Sequence, residues 1–115
     1  HAAIIDGDEI IEAVWPRVRV SSLIHALETH PRWVILDIPV ADDAAAVAAA
    51  RSQVGKPYDL WGVLGLGIKR NWQDDEAWWC SELIPWAAAQ GGTNLFRPDA
   101  LHRITPEHLW MLPAA

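Results

Sequence analysis

The first fourteen residues leave the chain little freedom. Two Ile-containing runs, Ala2-Ala-Ile-Ile5 and Ile10-Ile-Glu-Ala-Val14, flank Asp6-Gly7-Asp8-Glu9. A short Asp/Gly turn between two apolar runs predicts a β-hairpin. If the turn is Gly7-Asp8, or a four-residue loop with the same centre, Ala3 faces Glu12 and His1 faces Val14. Side chains alternate along a strand, so His1, Ala3, Ile10, Glu12 and Val14 then share one face. His1 and Glu12 become diagonal neighbours, and the small Ala3 leaves room between them. A three-residue turn would move Glu12 to the other face and remove this pairing.

The following segments supply helices and a further strand. Trp15-Pro16 interrupts the second strand. Arg17-Val-Arg-Val20 reads as a short extension with its basic side chains outward. Ser21 or Ser22 can cap a helix over Leu23 to Thr29, ended by His30-Pro31. Trp33-Val-Ile-Leu-Asp-Ile-Pro39 is apolar and β-branched, which predicts a buried strand. Asp42 and Asp43 open an Ala-rich helix to about Val54, and Gly55 stops it. Leu60 to Ile68 carries leucines at helical spacing, weakened by its glycines, and lacks the Gly-Lys-Ser/Thr ending of a phosphate loop. Lys69 to Trp79 reads as a polar loop.

Cys80 is the only cysteine, which excludes an internal disulfide and a cysteine-based zinc site. Pro85 fixes its setting. A proline ring clashes with the carbonyl four residues earlier, here that of Ser81, so the helix is predicted to begin at about Cys80 or Ser81. A cysteine in the first turn of a helix meets free N–H groups and the positive end of the dipole, both of which favour the nucleophilic thiolate. The bland counterpart is a small buried hydrophobe. Gly91-Gly92 ends this helix. Thr105-Pro106-Glu107 reads as a cap, a first-turn proline and a short turn. Leu109 to Leu112 reads as a last strand or an apolar tail.

Length and charge set the limits. The 115 residues suit one domain with a real core. A net charge of −6 argues against a nucleic-acid binder. No apolar run approaches the ~20 residues of a membrane span. His25, His30, His102 and His108 lack metal-ligand spacing and are expected at the surface, so neither metal nor cofactor is called for. The chain starts on His1 without a methionine, and is read as a fragment or a processed product.

Nucleophilic hydrolysis by cysteine needs a thiolate, an imidazole and a group that orients the imidazole. The order His1, hairpin, Glu12-Ala13, Gly55-Lys-Pro-Tyr58-Asp59, Cys80-Ser81-Glu82-Leu83, Thr105-Pro106 resembles the circularly permuted branch of the NlpC-type papain-like cysteine hydrolases, the YiiX/YaeF-like group. The resemblance runs the length of the chain. Cys-Ser-Glu-Leu alone is weak, while the ordered set is more specific. It implies an α+β papain-like fold, residues 1–115 forming one permuted domain in which a small antiparallel sheet packs on helices and the cysteine heads a core helix. It implies Cys80 as nucleophile, His1 as general base and acid, and Glu12 as the orienting group. Tyr58, Trp79 and Ser81 are expected to contact substrate, within a cleft wall that also draws on Trp61, Trp72 and Trp78. The substrate class implied is a cell-wall peptide or a lipid-linked amide or ester, in a cell-envelope or extracellular setting. Family members carry a further strand before the histidine. Its absence here suggests an open edge that a partner chain could complete, and motivates the alternative to an enzyme: a catalytically silent structural or binding module on the same fold, part of a larger assembly.

Overall fold

The computed structural model describes residues 1–57, 80–97 and 104–113, with Cys80 and Ser81 described in their backbone only. Within these limits the protein is α+β. Its elements are strands β1 (Ile4–Asp6), β2 (Glu9–Val14) and β3 (Arg17–Ser22), then helices α1 (Leu23–Thr29), α2 (Asp43–Arg51), α3 (Cys80–Gln90) and α4 (Pro106–Trp110). The sheet is antiparallel in the order β1-β2-β3.

The hairpin takes the two-residue turn. Asp6 pairs with Glu9, Ile5 with Ile10 and Ile4 with Ile11, and the same register carries Ala3 to Glu12. Gly7 adopts φ 62°, the left-handed backbone that a tight hairpin turn demands at its first central residue and glycine supplies without steric cost. Beyond Trp15-Pro16 the chain forms a full third strand rather than a short extension. Six pairs run from Val14↔Arg17 to Glu9↔Ser22, with Glu12 directly opposite Arg19. The outer edge of β3 is partly covered by the next turn: Val18 N–H donates to Lys56 O at 2.8 Å and Gly55 N–H to Val18 O at 2.8 Å. Gly55 reaches this position with φ 95°. Among the described residues, β1 remains an edge strand.

One cluster forms the core. Ile11, Ala13 and Val18 of the sheet meet Ala50 of α2 and Leu83 and Ala87 of α3, with Ile4, Val20, Val47 and Trp86 around them. Small alanines on both helices let α2 and α3 pack closely together, α3 against β2 and α2 against β1. Arg51 at the end of α2 reaches back to the hairpin and bonds Asp6 and Glu9. Its pKa is raised by the hydrogen bond to Asp6 first and that to Glu9 second. The helix caps agree with the sequence: Ser22 accepts from His25 N–H, and Asp42 accepts from Ala45 N–H at 3.0 Å. Pro85 lies inside α3, whose first residue is Cys80, as the proline argument requires. The tail Leu109–Leu112 is neither strand nor irregular throughout, because α4 extends to Trp110.

The predicted buried strand at Trp33–Pro39 is not observed. The segment forms no strand, and Trp33, Val34, Ile35 and Leu36 are 57, 51, 54 and 40% exposed. Helix α1 before it has no buried residue either. An apolar β-branched run records what a segment would bury given neighbours on both faces; it does not provide the neighbours. No helix among the described residues is long and apolar enough to cross a membrane.

Candidate functional site

Glu12 sits at the centre of the described site because β2 is the central strand. Arg19 lies opposite it on β3, and the ladder with β1 ends one pair before it, at Ile4↔Ile11. Its side chain is 7% exposed, so the carboxylate has exchanged most of its water for protein. A buried carboxylate needs charge or hydrogen-bond partners to offset lost hydration. Two are within reach of one oxygen. His1 Nε2 is 3.3 Å from Glu12 Oε1, and Arg19 NH2 is 3.6 Å from the same atom.

The His1–Glu12 contact is the diagonal pairing expected from a two-residue turn. It has a chemical consequence. With Nε2–H donating to the carboxylate, the neutral ring carries its lone pair on Nδ1, the nitrogen that would then accept or return a proton. At 3.3 Å the contact is longer than the ~2.7–2.9 Å of a tight charge-assisted bond. His1 lies ahead of Ile4, the first paired residue of β1, with its side chain 37% exposed. The ring is therefore held by its carboxylate partner and still faces solvent in part.

Cys80 stands at the head of α3, the setting the sequence predicted. Leu83 and Ala87, one and two turns further on, fix α3 against Ile11 and Ala13. Alternation along β2 sets Glu12 on the face opposite Ile11 and Ala13, with Ile10 and Arg19. Of the residues expected to contact substrate, Tyr58 and Trp79 lie outside the described residues, as do Trp61, Trp72 and Trp78, and Ser81 follows Cys80 in the first turn of α3.

Two polar residues were given no place of their own by the sequence. Arg19 was read only as an outward base; its place opposite Glu12 depended on β3 being a full strand. Glu82 is fully buried beside Cys80 in sequence, and its position in the first turn of α3 was the available signal. His108, expected merely at the surface, caps α4: its Nδ1 accepts from Thr105 N–H at 3.0 Å. Among the described residues no group of three or more His, Cys, Asp or Glu could hold a metal ion. Comparison with family models, with curated proteins and with solved structures finds no match to this chain.

Proposed function

We propose that the protein is a cysteine hydrolase of the permuted papain-like type, acting on an amide or ester bond. The observation that carries the reading is the contact between His1 Nε2 and the buried Glu12 carboxylate, together with the only cysteine at the head of a helix that packs on the same strand pair. Glu12 fixes the ring and its tautomer, and Nδ1 is the proton-exchanging atom.

The reaction follows from those roles. The Cys80 thiolate attacks the carbonyl carbon, with its proton held on His1. The oxyanion forms next to the first-turn N–H groups of α3, where the helix dipole favours negative charge. The carbonyl–leaving-group bond breaks as His1 gives its proton to the departing amine or alcohol, leaving a thioester. His1 then takes a proton from water, the resulting hydroxide adds to the thioester carbonyl, and the C–S bond breaks to return the thiolate and release the acid. The substrates the resemblance suggests are cell-wall peptides and lipid-linked amides or esters.

A test needs no natural substrate. Incubation with p-nitrophenyl acetate is expected to release nitrophenol in a burst and to leave one acetyl group on Cys80, seen by mass spectrometry and lost again with time. Cys80→Ala removes both the burst and the acetyl group. Acetylation no faster than in the urea-unfolded chain would remove the hydrolase reading.

A second reading, a binding module without catalysis on the same fold, is favoured by one observation. Trp33, Val34, Ile35 and Leu36 are four consecutive apolar residues, each exposed, more than scattered surface residues need explain. It predicts an inert Cys80 in the same experiment.

A further inference from the structure

We propose that Arg19 is a positioning residue of this site: its guanidinium balances the Glu12 carboxylate and so limits how strongly that carboxylate holds the proton on His1. The inference rests on the hydrolase reading and adds to it a residue that sets the basicity of the catalytic imidazole.

The register brings Arg19 to Glu12. They are direct cross-strand partners, where side chains on one face lie about 5 Å apart at Cβ. Arg19 NH2 lies 3.6 Å from Glu12 Oε1, the oxygen that also faces His1 Nε2. At this distance the contact is an ion pair and not a hydrogen bond. The partners differ in setting: Arg19 is 58% exposed and Glu12 7%. An arginine so exposed contributes little to stability through such a pair. Its field on a buried carboxylate and on a ring at the same oxygen is less fully screened.

Other charges nearby do not substitute for it. On the face that Glu12 shares, Arg17 stands two positions along β3 opposite Val14. Asp6 and Glu9 fall on the opposite face of the hairpin by alternation, where both bond Arg51 of α2. Lys56 meets β3 from outside through its backbone carbonyl, bonded by Val18. Among the described residues, the ion pairs to Glu12 are those from His1 and Arg19. His1 is charged for only part of a catalytic cycle, and Arg19 for all of it.

A fixed positive charge beside the shared oxygen disfavours the imidazolium. With Arg19 present, the ring gives up its proton to a leaving group more readily; without it, Glu12 holds the imidazolium more tightly. The titration of His1 reads this without reference to catalysis. Its imidazole signal is followed by NMR against pH in the whole chain and assigned by its loss in His1→Gln. Arg19→Gln is expected to raise the titration midpoint by about half a pH unit, a Coulomb estimate for a charge several ångströms away in a partly screened site. Arg19→Lys, which restores the charge, is expected to return the midpoint towards wild type. An unchanged or lowered midpoint in Arg19→Gln overturns the proposal. So does a shift in Arg19→Lys as large as that in Arg19→Gln, because the charge would not then be the cause. The two readings fail separately: a shifted His1 with an inert Cys80 supports the Arg19 coupling and rejects the hydrolase, while a reactive Cys80 with an unshifted His1 rejects Arg19 alone.

Discussion

Gly91→Val lowers the stability of the protein by about 3 kcal/mol, enough to unfold much of a marginal domain. The reason is local. A Cβ on Gly91 would lie 2.6 Å from the carbonyl oxygen of Asp42, 2.9 Å from Ala46 Cβ and 2.9 Å from Val40 Cγ1. The first of these is backbone and cannot turn aside. Asp42 is the N-cap of α2 and its own N–H donates to Gly91 O at 2.9 Å. Ala41 N–H donates to Thr93 Oγ1 at 2.8 Å one step along. The start of α2 is thus stitched to the end of α3, and a side chain at Gly91 pushes the helices apart at that seam. Displacing it disturbs the packing of α2 and α3 behind β2. Urea unfolding measures the loss; a variant as stable as wild type would show that the seam is looser than the distances imply. Gly91→Ala is expected to cost less, since it adds the clashing atom without the branches.

His1→Gln lowers the rate of Cys80 acetylation by p-nitrophenyl acetate about a thousandfold, the scale on which general-base and ion-pair assistance act in cysteine and serine hydrolases. Glutamine can keep a hydrogen bond to Glu12 and fills similar space, so the fold is retained while the proton-exchanging nitrogen is lost. The thermal unfolding midpoint should stay close to wild type, because His1 is partly exposed and outside the ladder. A drop of less than about tenfold would mean that the imidazole does not serve the thiol.

The parts of the fold readable in the sequence were those with local causes. Asp6-Gly7-Asp8-Glu9 specified a turn, the turn length specified the register, and the register brought His1 to Glu12. Pro85 marked where α3 could begin, and Ser22 and Asp42 marked two helix starts. What could not be read depended on neighbours distant in sequence. Arg17–Val20 looked like a short basic extension because alternating Arg and Val fit either a strand or a loop; the ladder with β2 decided it and carried the strand to Ser22. Trp33–Pro39 looked buried because its composition demands partners, and composition cannot say whether they are present. Arg19 belongs to the same class: its role beside Glu12 appears only once β2 and β3 are paired. The close approach at Gly91 was likewise hidden, since the sequence offered that glycine only as a helix stop.

If Cys80 and His1 share a proton, the pH dependence of alkylation at Cys80 shows it. As the only cysteine, it gives an unambiguous rate with iodoacetamide. The folded wild-type chain is expected to react on a plateau extending well below the ordinary thiol pKa of about 8.5, and His1→Gln to collapse the profile to one titration near that value. Identical profiles in the two proteins, each a single step at the ordinary thiol pKa, would contradict the shared proton.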